Sequence, residues 1–340
     1  WNGPGGVLFF ADDIFNLKPA RMKAILRGMI ARGLTPPWVG QVRHEASRDD
    51  ELLDLMRRSN CVRLFVGFES INPETLAHFN KHESVADVAE AIRRFHAADV
   101  KVHGMFVLGS DQDTEQTVWQ TLAFTQEHDI DTMQFNVLTP LPGSRDYDAM
   151  VRRKALIPGA SWTLFDGNHV VHRPARMSTV SLQTATAGAM KRFYSLRAAA
   201  TRLVKGDLLE AGVRLHGYFL ARRFARESRR HAKWLAECAT HTGAVARPVF
   251  RDARPLSPGI LTRARRFAGA RHQLNVARFA HMAARISHKG KASSGRFRPQ
   301  AASSAVGVLD VSSRYASGTS LVRPCLANKT ATLARTPRSS

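Results

Sequence analysis

The sequence predicts an α/β fold: parallel βα units of barrel type over residues 1–150, a helical extension over 151–242, and a basic tail of low order over 243–340. Three observations carry that reading. Short apolar runs alternate with helical stretches from residue 7 to about 150, polar or turn-forming residues close each apolar run, and charge is divided unevenly between the halves. Residues 1–150 hold 15 Lys+Arg against 21 Asp+Glu, and residues 151–340 hold 35 against 7, so the overall charge of +22 comes from the second half alone.

The elements follow in order. Val7–Ala11 is a compact apolar run ending in Asp12-Asp13, and residues 19–33 read as a helix opened by Pro19 and closed by Gly33. Trp38–Arg43 is the second strand, and a helix over 49–59 starts on Asp49-Asp50-Glu51, acids that suit its dipole. Val62–Phe68, Lys101–Leu108 and Met133–Leu138 complete the strands, with helices at 85–98 and 114–128 between them. Strands that are apolar on both faces and alternate with helices imply parallel pairing through right-handed crossovers.

The strand ends select a barrel over a doubly wound nucleotide fold. Polar or turn residues gather there: Asp12 and Asp13, Arg43 and His44, Glu69 and Ser70, Gly109 and Ser110, then Thr139-Pro140-Leu141-Pro142-Gly143. Barrels collect ligand sites at that rim. The Gly3-Pro4-Gly5-Gly6 stretch precedes a strand instead of following one, so it cannot cradle a pyrophosphate.

Beyond residue 150 the strands stop. Trp162–Ser178 reads as an irregular connector, 181–205 as one helix with Met190, Phe193, Leu196, Ala200 and Leu203 at helical spacing, and 207–238 as a further helix with an arginine-rich face. From about 243 onward, arginine, alanine, serine and proline with few acids cannot offset the entropy of ordering. The basic half also admits a nucleic-acid-binding reading over 214–300, beside the plainer one of a solvated helix face followed by a basic tail. The 3 cysteines, Cys61, Cys238 and Cys325, are far apart and suit neither a disulfide framework nor a zinc knuckle. No apolar run is long enough to span a bilayer and no signal peptide is legible, which gives a cytoplasmic expectation.

Five segments resemble successive strand ends of the radical S-adenosylmethionine superfamily: 7–16 (VLFFADDIFN), 38–43 (WVGQVR), 64–76 (LFVGFESINPETL), 103–109 (HGMFVLG) and 138–144 (LTPLPGS). They are most similar to its cobalamin-binding-domain branch, which includes enzymes acting on hopanoids and magnesium-porphyrin intermediates. The resemblance implies strands 2 to 6 of a partial TIM-type (βα)6 barrel. It also implies S-adenosylmethionine as cosubstrate, a 4Fe–4S cluster, cobalamin as a further cofactor of that branch, and ferredoxin or flavodoxin as electron donor. The implied reaction is methyl transfer or ring formation on a lipid-like or tetrapyrrole substrate.

Three closely spaced cysteines hold the cluster in this family. None occur here, so its ligands are expected upstream of Trp1, and the chain reads as a fragment without a metal site of its own.

The same resemblance gives the strand ends roles as a cofactor site. Asp12 and Asp13 fall where the methionine amino group is met, Gln41, Arg43, Glu69 and Ser70 where the ribose and methionyl carboxylate are held, and Leu138, Thr139, Pro140 and Pro142 where backbone flanks the adenine. A guanidinium suits a bidentate carboxylate contact. Each also admits the plainer reading of a polar strand terminus facing solvent. His169 and His172 read as an incidental pair, Cys61 as a buried thiol, and Asp111, Asp113 and Glu115 as acids at a helix N-terminus. Val7–Ala11 carries no lysine or proline to guard an open edge, so the chain is expected to self-associate as its concentration rises, seen as earlier elution in size-exclusion chromatography.

Overall fold

The computed structural model describes residues 6–81 and 83–240; the tail over 243–340 lies outside them. Its element order is β1 (Leu8–Phe10), α1 (Pro19–Ala31), β2 (Trp38–Val42), α2 (Asp50–Arg58), β3 (Cys61–Glu69), α3 (Pro73–His78), α4 (Val85–Ala97), β4 (Lys101–Leu108), α5 (Glu115–Glu127), β5 (Thr132–Val137), α6 (Arg145–Arg152), α7 (Thr179–Phe193), α8 (Leu196–Val204) and α9 (Leu208–Thr240). Local chemistry sets the helix ends. Pro19 opens α1, which closes where Gly33 takes a left-handed φ of 63° and Leu34 N donates back to Met29 O. Asp49, Ser84 and Thr114 cap α2, α4 and α5, the last two as reciprocal capping boxes.

All pairings are parallel, and the strands follow one another in space in the order β1-β2-β3-β4-β5. A doubly wound sheet reverses direction at a switch point; this one winds one way only, as an arc of a barrel does. Alternate residues serve the two faces. Leu64, Val66, Phe68, Val102, Phe106, Leu108, Met133 and Phe135 pack outward under the helices in the main core, whereas Val39, Phe65 and Met105 form a smaller inner cluster joined by Val7, Phe9 and Val62.

Beyond β5 the structure departs from the sequence reading. The single helix expected over 181–205 is broken at Tyr194 and Ser195. Tyr194 leaves helical geometry, and its hydroxyl donates to Met133 O (2.7 Å) while accepting from Met133 N (2.9 Å), tying the break to β5. Ser195 then caps α8 by accepting from Ala198 N. A Cβ on Gly217 of α9 would lie 2.2 Å from the Tyr194 ring, so glycine is what lets α9 pack there. The short helices α3 and α6 also went unread, although Asn72-Pro73 and Ser144 start them with good caps. The connector is ordered by an antiparallel bridge from Leu156 to His172, and Gly167 O accepts from Val137 N at the edge of β5.

Charged side chains bolt α8 and α9 to the N-terminal end of the sheet. Arg63, near the start of β3, pairs with the buried Glu210 of α9; Lys101, at the start of β4, pairs with Asp207 and lies 3.5 Å from Asp131. Asp131 also bonds His96 (2.9 Å) and accepts from Val102 N (2.8 Å), while Arg214 donates to Phe193 O and Ile130 O. Burial alone would raise the Asp131 pKa, but the bond to His96 and the charges of Lys101 and Arg63 hold it well below the ordinary carboxylate range. A carboxyl depressed in this way stabilises the fold above its unfolded pKa of about 4 and loses that contribution as pH falls through the folded value. Stability is therefore expected to decline below about pH 4. Asp131→Asn should lower it by about 3 kcal/mol at pH 7 and flatten the acid dependence, checked by urea melts at several pH values.

Candidate functional site at the C-terminal rim

Parallel strands put all their C-terminal ends on one rim, and every residue nominated as a ligand contact falls there. Asp12 and Asp13 follow β1, Gln41 and Arg43 end β2, Glu69 and Ser70 end β3, and Leu138, Thr139, Pro140 and Pro142 follow β5. They are not equally placed to act. Gln41 is paired in register with Phe65 and so belongs to the inner face. Asp12 is engaged by Arg21 at 2.9 Å, Asp13 is exposed, and Arg43 is exposed with Glu45 at 3.4 Å. Pro140 is buried, whereas Leu138, Thr139 and Pro142 are partly accessible.

Glu69 is the residue with distinctive geometry. Its backbone has φ 61°, a left-handed conformation that a residue with a Cβ adopts at a cost of about 1 kcal/mol. The β3–β4 register slips between Gly67 and Glu69, and the side chain folds back over Gly67, whose missing Cβ leaves it room: a Cβ there would lie 2.7 Å from Glu69 Oε1. Gly67 pairs with Met105 of the inner cluster, so the carboxylate is delivered to the inner face of the arc. Lys81 Nζ stands 3.5 Å from it.

Beside Glu69 the rim is braced from below. The fully buried Asp113 accepts from Gly109 N and Ser110 N at 3.0 Å each and from the Thr75 hydroxyl at 2.7 Å, while Thr75 and Ser110 hydroxyls lie 2.9 Å apart. Ser70 accepts from Asn72 N (3.0 Å), and the Asn72 amide donates to Gln112 O (3.1 Å). Asp113 thus ties the turn after β4 to α3, which is a larger role than an acid at a helix N-terminus. Asp111 and Glu115 look elsewhere, to Arg153 and Ser181.

Two more rim contacts escaped the sequence reading. Asn16 clamps the end of β2, accepting from Arg43 N at 2.8 Å, and the buried pair His44–Glu83 (2.6 Å) joins that end to the start of α4. A cleft of about 560 Å³ between the start of α1 and the segment from β2 into α2 is lined by Asn16, Arg43, Glu45, Arg48 and Asp49. No sequence signal marks Lys81 or Glu83, which lie in a loop; Asn16 stood within a quoted segment, without a role.

The histidines of the connector face different partners. His169 bonds Asp166 at 3.0 Å; burial opposes its charged form, yet Asp166 raises its pKa overall. His172 donates from Nε2 to Gly109 O at 2.8 Å and is kept neutral by burial, which lowers its pKa. Cys61 is buried at the opposite end of β3, its thiol pushed well above the ordinary value by burial, and Cys238 lies near the end of α9.

Residues 21–125 match the family model of the Radical SAM superfamily. That stretch, which runs from α1 into α5, is similar to a radical SAM domain. It is 28% identical over 169 residues to bacteriochlorophyllide d C-12(1)-methyltransferase of Chlorobaculum tepidum, covering 49% of this chain and 36% of that protein. Over 142 residues it is 32% identical to the anaerobic magnesium-protoporphyrin IX monomethyl ester cyclase of Cereibacter sphaeroides, covering 40% and 23%. The hopanoid C-2 methylase of Rhodopseudomonas palustris is 26% identical over 160 residues, 46% of this chain and 30% of its own length. The chain therefore spans about a third or less of these relatives. Among solved structures, the cobalamin-dependent S-adenosylmethionine radical enzyme OxsB matches with a TM-score of 0.43 and 11% identity, covering 78% of this chain and 51% of that one.

The superfamily is one of enzymes, and its common cofactors are a 4Fe–4S cluster and S-adenosylmethionine. The described residues do not fit the cluster. They include no group of three His, Cys, Asp or Glu side chains arranged for a metal, and both described cysteines have thiol pKa values raised by burial, against the thiolate form a cluster needs. The rim brings together a carboxylate on the inner face, the exposed Arg43 and partly accessible residues after β5. If Glu69 is held in its strained geometry for binding, Glu69→Gly is expected to relieve the strain and stabilise the fold by about 0.5–1 kcal/mol, read as a higher urea midpoint with unchanged slope.

Proposed function

We propose that the rim of this sheet holds S-adenosylmethionine and that the whole protein is a radical S-adenosylmethionine enzyme acting by methyl transfer or ring formation on a lipid-like or tetrapyrrole substrate. The observation that carries the site is the Glu69 carboxylate, folded over Gly67 onto the inner face at the price of a left-handed backbone. A carboxylate so placed accepts hydrogen bonds from vicinal ribose hydroxyls, charge-assisted contacts that are among the stronger ones available to a neutral sugar.

The other contacts follow from charge and position. Arg43 meets the methionyl carboxylate, Asp12 and Asp13 the ammonium, with Asp12 first releasing Arg21. Gln41 and Ser70 supply neutral hydrogen bonds beside the ribose. The partly accessible backbone of Leu138, Thr139 and Pro142, with the buried Pro140, borders the adenine. The substrate class rests on the relatives, whose names specify a bacteriochlorophyllide, a magnesium-protoporphyrin ester and a hopanoid. Cobalamin, and ferredoxin or flavodoxin as electron donor, belong to the same reading.

Isothermal titration of S-adenosylmethionine into the full chain tests the site. Glu69→Gln is expected to weaken binding about 10- to 100-fold, the loss of a charge-assisted pair, and Arg43→Ala by about 10-fold. Heat signals unchanged by both substitutions, in variants whose melting matches the parent, would place the ligand elsewhere.

A further inference from the structure

Helix α9 is 33 residues long, about 50 Å, and buries one stripe against the rest of the fold through Glu210, Val213, Gly217, Ala221, Ala225, Ser228 and Leu235. Its opposite stripe runs through Leu208, Leu215, Phe219, Arg222, Arg226, Arg229 and Lys233, a spacing of sevens, fours and threes that keeps all of them on one outward line. That line changes character part-way. Its first half shows large apolar side chains to solvent, Leu208 at 65% and Phe219 at 62% exposure, and Val204 at the end of α8 adds another at 88%. Its second half is cationic.

Cations outnumber acids along this part of the chain. Residues 191–240 carry 12 Lys+Arg and 4 Asp+Glu. Asp207 and Glu210 are held in the network below the sheet, leaving Glu227 and Glu237 as the remaining acids, and Glu227 already faces His169 at 3.8 Å. Among the described residues no ion pair reaches Arg223, Arg226, Arg229, Arg230 or Lys233.

We infer that the outward stripe of α8 and α9 docks on an anionic lipid bilayer, with Leu208, Leu215 and Phe219 entering the interfacial layer and the arginines contacting lipid phosphates. The apolar and cationic halves call for one partner that offers both an apolar layer and anionic groups above it, which is the make-up of such a surface. A second copy would oppose arginine to arginine if parallel, and arginine to leucine and phenylalanine if antiparallel, leaving the cations without acidic partners either way. A nucleic acid would satisfy the cations and stack on Phe219 at most, leaving the exposed aliphatic side chains Val204, Leu208 and Leu215 in water. The inference does not depend on the cofactor site.

Vesicle co-sedimentation of the full chain tests it, using phosphatidylcholine alone and phosphatidylcholine with about one third phosphatidylglycerol. Binding is expected to the anionic vesicles only and to fall steeply between low and moderate salt. Leu215→Glu with Phe219→Glu should reduce it about 10-fold or more, and Arg226→Glu with Arg230→Glu should do likewise. All four positions are exposed, and the second pair keeps the test open if the first fails to fold. In Phe219→Trp, the tryptophan emission should shift to the blue on adding anionic vesicles. Absence of binding, or binding that survives both double substitutions, overturns the assignment. So does a dimer in analytical ultracentrifugation that Leu215→Glu with Phe219→Glu dissolves while vesicles are ignored, which would make this face a contact between copies.

Discussion

The contact on which the rest of this structure depends is the pairing of Arg63 with Glu210, two charges removed from water beneath the sheet. Alone, each would carry a desolvation penalty of several kcal/mol, so neither tolerates the absence of the other. Their pairing fixes the start of α9 against the N-terminal end of the strands, and Lys101, Asp131 and Asp207 extend the same logic to β4 and β5. One end of the arc is thereby committed to holding the helices, and the opposite end is left for chemistry.

The charged groups at the two ends differ in kind. Burial raises the Glu210 pKa, and the guanidinium charges of Arg63 and Arg214 oppose it, which is an arrangement that serves rigidity and not reaction. Glu69 is different. It sits in a left-handed backbone conformation with an inward carboxylate and a lysine nearby, the features on which the proposed ligand contact rests. The brace supplied by Asp113 stands directly beside it, so the strained residue borders a turn that is itself over-determined.

Much of this was legible in the amino-acid sequence, because parallel strands and amphipathic helices are written in local periodicity. The five strands and the helices α1, α2, α4 and α5 between them fall within a residue or two of where apolar runs and caps place them. The break between α7 and α8 was not legible, since it answers to a hydrogen bond from Tyr194 to Met133, 61 residues away. The site divides along the same line. That Glu69 ends a strand can be read directly; that its side chain doubles back over Gly67 depends on a register slip that only the neighbouring strand reveals. Asp113 stood out as an acid, yet beside the adjoining turn at Gly109 and Ser110 it holds Thr75 of α3, 38 residues earlier, which no local spacing reveals.

Gly109 gathers these constraints at one point. Its amide is held by Asp113, its carbonyl by His172, and at φ 97° it lies so close to Leu182 of α7 that a Cβ would come within 2.4 Å. The turn after β4 is therefore immobilised from three sides by the protein itself. A molecule settling on this part of the rim meets backbone whose conformational freedom was already surrendered during folding, so little further entropy is lost there on association and more of the contact enthalpy is retained as affinity.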